Sequence, residues 1–167
     1  MSIYSIDKLM AEARRLAVEY RDATGKNLPI TSEIAINDAI RILGMTAAEK
    51  SGLGYDALYP YQDRELKVQI KGRAVVNDSG KAHRIGQLKT EQDWDAIVLV
   101  LMDRDYETDA LYLAHRHDIE HTSKLFKTNK RGALTVAKFK AISECVWQRD
   151  NAMPTTPAQS ETVEHPG

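Results

Sequence analysis

Apolar positions along the chain recur first at helical spacing and then in alternation. Ile6, Leu9, Ala13, Leu16, Ala17 and Tyr20 fall at helical intervals and predict an amphipathic helix over residues 5–22. Ser5 can cap it, and Asp7 sits in the first turn, where the helix dipole favours an acid. Gly25 and Pro29 interrupt the pattern. A second helix starts near Ser32, puts Ile36, Ala39, Ile40 and Leu43 on one side, and stops at Gly44. Residues 46–50 are read as a short further helical turn.

The period then falls to two. Residues 55–59 and 65–73 read as strands, with Pro60–Tyr61–Gln62–Asp63 as the turn between them. In the second strand Leu66, Val68 and Ile70 point one way, while Lys67, Gln69 and Lys71 point the other. Residues 83–90 are expected to form a short helix. The run DAIVLVLM, residues 95–102, suits a strand covered on both faces. Residues 110–114 return as another strand, and 117–126 and 135–148 read as helices. Two helices, about four strands and two or three helices predict an α/β or α+β domain of three layers over residues 1–150. Residues 151–167 hold three of the five prolines and few large apolar residues, and read as a disordered tail.

Composition narrows the class without naming a function. The chain has 167 residues, enough for one core without disulfide or metal staples. The single cysteine, Cys145, excludes an intrachain disulfide and a cysteine zinc cage, and its neighbours Ile142 and Val146 predict a buried position. Trp94 and Trp147 are expected in the core. The charged N-terminus is unlike a signal peptide, and no apolar run approaches the ~20 residues of a membrane span, so a cytoplasmic location is expected.

The net charge of −1 argues against a basic coat over the whole surface, but it conceals segregation. Residues 64–89 carry seven Lys/Arg and two acids; residues 91–109 carry seven acids and one Arg; residues 124–140 carry six Lys/Arg and no acid. Such runs can form opposed faces, one of them a footprint for a phosphate backbone, or can simply be solvated surface.

The chemistry concentrates in GYDA, residues 54–57, and VQIKGR, residues 68–73. A hairpin turning at Gln62–Asp63 puts Asp56 directly across from Gln69; a turn one residue earlier makes them diagonal neighbours. Lys71 shares the face of Gln69. An acid, an amide and an amine thus converge. A carboxylate and an oxygen donor suit Mg2+, which takes oxygen ligands, activates water and offsets charge on a scissile phosphate. A lysine beside them can orient or deprotonate the water and stabilise developing charge. Glu33, in the first turn of the second helix, is the best further carboxylate, and Glu49 the runner-up. The plainer reading makes Asp56 a loop cap, Lys67 and Lys71 solvated strand residues, and Glu33 a dipole partner.

Together these residues resemble the PD-(D/E)xK, or restriction-endonuclease-like, nuclease superfamily, in its D…QxK variant. The resemblance covers about residues 30–115. It implies an αβββαβ core around a mixed sheet and Mg2+- or Mn2+-dependent cutting of DNA in restriction, repair or mobile-element biology. It also implies metal binding by Asp56, Glu33 and Gln69, with Lys71 as the motif lysine. Two positions depart from the motif: Tyr55 stands before Asp56 where proline is usual, and Gln69 brings an oxygen but no charge. A fold that has lost cutting and binds nucleic acid or a protein is therefore the alternative. Arg73, His83, Arg84 and Lys89 would flank the cleft. Lys130 and Arg131, on a basic loop ahead of the last helix, can hold phosphate or merely keep that loop soluble. A homodimer or a protein partner would supply specificity. His115, His117 and His121 are read as structural or surface residues.

Overall fold

The computed structural model describes residues 5–75, 84, 85, 88, 91–125 and 134–149. Four helices are described: α1 (Ile6–Thr24), α2 (Thr31–Leu43), α3 (Arg116–Leu125) and α4 (Val136–Ile142). The strands are β1 (Thr46–Ala47), β2 (Ala57–Tyr61), β3 (Arg64–Ala74), β4 (Ala96–Met102), β5 (Thr108–His115) and β6 (Glu144–Gln148). They form one mixed sheet in the order β1-β2-β3-β4-β5-β6, six strands where about four were expected. Only β3 and β4 run parallel.

The period-two reading of β3 decides the layering. Leu66, Val68 and Ile70 lie in a core with Ala17 of α1 and Ile34, Ala35 and Ala39 of α2. On the other face Ile97, Leu99 and Leu101 of β4 pack with Ile119 of α3 and Phe139 of α4. The sheet therefore carries two helices on each face, and all of β4 is buried, as its apolar run predicted. Gly72 lets α2 approach: a Cβ there would lie 2.6 Å from the Ala35 Cβ and 3.4 Å from the Thr31 carbonyl oxygen.

Several elements differ from the sequence reading. Residues 46–47 pair with β2 instead of forming a helical turn, because Gly44 in the left-handed region ends α2 and redirects the chain. The last helix stops at Ile142. Ser143 is extended, and residues 144–148 pair with the open side of β5. The helical spacing of Val136, Phe139 and Ile142 carries on into Cys145 and Val146, but the available sheet edge overrides it. Cys145 is consequently exposed on β6, not buried. Arg84 bridges Thr135, and the Ile85 N–H donates to the Leu134 carbonyl at 3.0 Å, so these two are extended. Of the helix expected over 83–90, only Leu88 is otherwise described. The tail from 151 lies outside the described residues. No helix among the described residues is long and apolar enough to cross a membrane.

In α1 the side facing the core is Met10, Ala13, Ala17 and Val18, while Ile6, Leu9, Leu16 and Tyr20 are exposed. A buried polar node anchors the helix. Asp38 of α2, 2% exposed, accepts from the Arg14 guanidinium and, at 2.7 Å, from the Thr108 hydroxyl. Arg14 Nε also donates to the Tyr106 carbonyl at 3.0 Å. These bonds fasten α1 and α2 to the β4–β5 hairpin.

The acidic run divides between the two ends of β4, and much of it is paired. Asp93 meets Lys67 at 2.6 Å. At the far end Arg149 bridges Asp103 at 3.1 Å and also meets Asp109. Burial alone would raise the Asp103 carboxyl. The N–H groups of Asp105 and Glu107 and the Arg149 guanidinium outweigh it and hold the group below its ordinary value.

Two predictions follow from these polar contacts. Asp38→Ala should cost about 3–5 kcal/mol in urea unfolding, because it strands Arg14, and pairing it with Arg14→Met should recover much of the loss. A depressed folded pKa stabilises above the unfolded value and is lost as pH falls through the folded one. The Tm deficit of Asp103→Asn should accordingly hold steady from pH 7 to about 5 and close below about 3.9.

Candidate active site

The hairpin register fixes the site. Tyr61 pairs Arg64 across Gln62–Asp63, and the ladder runs to Ala57↔Val68. One step further puts Asp56 across from Gln69, the direct arrangement of the two open in the sequence. At Asp56 the chain leaves the ladder, and its side chain takes over: the Ile70 N–H donates to Asp56 Oδ2 at 2.7 Å. The Asp56 carbonyl accepts from the Ala48 N–H at 2.9 Å, which ties the loop from β1 to the same point.

Gln69 is 6% exposed. Its Nε2 donates to the Gly54 carbonyl at 2.8 Å and approaches Gln92 Oε1 at 3.4 Å. These acceptors fix which end of the amide is nitrogen. Oε1 is buried with no hydrogen-bond partner among the described residues. An unsatisfied buried oxygen costs about 1–3 kcal/mol, so a polar group in a central strand needs a compensating role.

The wall opposite comes from residues 91–95, which enter β4. Parallel pairing sets Val68 beside Ala96, and this brings the acidic run against the start of the polar row on β3. Gly54, at φ +94°, touches that wall: a Cβ would lie 2.9 Å from the Gln92 Cβ and 3.0 Å from the Asp93 nitrogen. Asp95 Oδ2 accepts from the Lys67 N–H at 2.9 Å. Lys67 Nζ bridges Asp93 and lies 5.7 Å from the Tyr55 ring centre. The Asp93 carboxylate raises the pKa of this exposed ammonium by hydrogen bonding and by charge. Arg116 braces the same loop. It donates to the carbonyls of Gln92 at 2.8 Å and Trp94 at 3.1 Å, and its guanidinium stacks 4.6 Å from the buried Trp94 ring centre.

The structure thus brings Asp56 and Gln69 together, with half-buried Lys71 next on the same strand face. It does not bring Glu33 to them. Glu33 is exposed on α2, which covers the opposite face of the sheet. Glu49 is exposed too, but it follows Ala48, the residue bonded to Asp56. Among the described residues no group of three or more His, Cys, Asp or Glu side chains is placed to hold a metal ion.

The expected nucleic-acid contacts fare unevenly. Arg73 is half-buried and donates at 2.5 Å to the carbonyls of Arg84 and Gly72; burial lowers its pKa. It therefore joins β3 to the bridging segment. Arg84 is exposed, while His83, Lys89, Lys130 and Arg131 lie outside the described residues. His117 and His121 are exposed and face each other on α3 with ring centres 6.5 Å apart, and His115 meets the Tyr61 ring edge at 5.5 Å.

Gln92, Asp93, Asp95 and Arg116 escaped the sequence reading. The signal for the acids was there, in the acidic residues just ahead of an apolar strand. Using it required knowing that this strand lies parallel to β3. No family model matches the chain, and no curated protein matches it.

Gln69→Glu replaces a donor with a second acceptor facing the Gly54 carbonyl. It should lower stability at pH 7 by about 2–4 kcal/mol. Burial raises the pKa of such a carboxyl, so the loss should shrink as pH falls through the raised folded value and level off below about 4.3, where the acid becomes neutral in both states. Thermal melts across this range check it, and an unchanged Tm at pH 7 would contradict the Gly54 bond.

Proposed function

We propose that the chain is a metal-dependent endonuclease of the restriction-endonuclease-like fold, using Mg2+ or Mn2+ to hydrolyse DNA phosphodiester bonds. One observation carries the reading. The buried Gln69 oxygen, without a hydrogen-bond partner among the described residues, lies one step beyond the last hairpin pair, on the side of Asp56, and Lys71 follows on the same face. Two hard oxygen donors of this kind suit such an ion. The order α2, β1, β2, β3 and then a parallel β4 supports the αβββαβ core.

In this reading Asp56 and Gln69 hold the ion, with Glu49, next to the Ala48 that bonds Asp56, as a further carboxylate in place of Glu33. The bound ion supplies Lewis-acid stabilisation and an activated water. Lys71 orients that water or takes its proton, and offsets charge on the phosphate. Arg116 and Lys67 keep the 91–95 wall in place. Arg84 and, beyond the described residues, His83, Lys89, Lys130 and Arg131 would grip the backbone. A homodimer or a protein partner would add specificity.

Gln69 also favours a second reading. A neutral amide where the motif usually has an acid weakens metal affinity, which suits a nucleic-acid- or protein-binding module that no longer cuts.

Plasmid degradation separates the two. The wild type should cut with Mg2+ or Mn2+ and stop with EDTA, and Lys71→Ala and Asp56→Asn should each lose on the order of 100-fold or more. Equal cutting by Lys71→Ala would overturn the role of that lysine. Binding without cutting by the wild type would favour the second reading.

A further inference from the structure

We infer that His117 and His121 form a second cation site, a two-imidazole chelate on α3 for a borderline-soft divalent ion such as Zn2+ or Ni2+. The two residues lie one turn apart, at i and i+4, and both are exposed. Their rings face each other with centres 6.5 Å apart and planes 21° from parallel. Neither imidazole has a hydrogen bond or an ion pair among the described residues.

The packing of α3 holds this side of the helix outward. Ile119 and Thr122 are buried on the other side, Ile119 in the core with Phe139 of α4. Arg116 pairs with Glu120 at 2.8 Å and also holds the carbonyls of Gln92 and Trp94. The Glu120 carboxylate is thereby engaged by a guanidinium. Among the described residues no third His, Cys, Asp or Glu joins the two histidines. The chelate therefore has two protein nitrogens, with water in its other positions.

The ligand type selects the ion. Imidazole nitrogen suits Zn2+, Ni2+ and Cu2+, whereas Mg2+ takes oxygen. The site thus differs in chemistry from the Asp56–Gln69 pair, and neither reading rests on the other. Two histidines at i and i+4 on one helix face are a known way to hold zinc. Metal–nitrogen bonds of about 2.1 Å bring the ring centres of such a chelate to about 5 Å. Closing from 6.5 Å takes side-chain rotation alone, which exposed positions allow. Once one imidazole holds the ion, the second binds it intramolecularly, so the pair outbinds a single histidine. The helical spacing exists only in the folded chain, so the ion stabilises the fold.

A Zn2+ titration of the full chain, read from the ring 1H–15N correlations of its five histidines, tests this. The signals of His117 and His121 should shift first and together, with micromolar affinity. His117→Gln and His121→Gln should each weaken Zn2+ binding at the remaining ring by about tenfold or more. Zn2+ should raise the Tm of either variant less than that of the wild type. Both positions are exposed, so both variants should keep the wild-type far-UV spectrum. Mg2+ at equal concentration should leave the two rings unshifted. Zn2+ that shifts His83, His115 or His165 first overturns the inference. So does an affinity at one ring that replacing the other leaves unchanged, because each histidine then binds alone.

Discussion

The parallel pairing of β3 with β4 is the constraint on which the rest of the molecule depends. It makes β3 an interior strand, so both of its faces must be accounted for. The even-numbered face is apolar and is covered by α2, at a distance only Gly72 permits. The odd-numbered face presents Lys67, Gln69, Lys71 and Arg73 beside the apolar β4 residues that α3 and α4 cover. Each of these polar groups needs a partner or a purpose. Lys67 has Asp93 and Arg73 has two carbonyls. Gln69 has Gly54 for its nitrogen and no described partner for its oxygen. The candidate site is the place where this local balance does not close.

The same pairing explains the distribution of charge. The acidic run brackets β4, so its two halves arrive at opposite ends of the sheet. One half stiffens the wall opposite Gln69, with help from Arg116. The other closes the β4–β5 hairpin, where Asp103 and Asp109 meet Arg149. Segregation along the chain thus becomes pairing in space. Arg14 and Asp38 play a comparable part beneath α1, as buried ions that determine where a helix docks.

Much of this was legible in the sequence because it rests on local periodicity. The alternation of Leu66, Val68 and Ile70 with Lys67, Gln69 and Lys71 gave the two faces of β3, and the Gln62–Asp63 turn gave the approach of Asp56 to Gln69. The apolar run ahead of Asp103 gave a strand buried throughout. What stayed hidden depended on partners distant in the chain. The segment at 144–148 is a strand because β5 has an open edge, which no spacing of Cys145 and Val146 reveals. The apolar spacing of α1 was visible, but spacing cannot say that Met10 and Ala17, and not Leu9 and Leu16, meet the core. Glu33 has the right residue type in the right turn, yet α2 lies across the sheet from Gln69. Glu49, the second choice by sequence, is the one joined by its neighbour to Asp56.

The central claim is that the Asp56 and Gln69 oxygens form a cation site. Paramagnetic broadening by Mn2+ in an amide-resolved NMR spectrum addresses it most directly. The account predicts that the amides of residues 54–56 and 69–71 broaden first, at substoichiometric Mn2+, and that Asp56→Asn removes the effect. Broadening centred on the acidic hairpin at 103–109, or unchanged in Asp56→Asn, would contradict it.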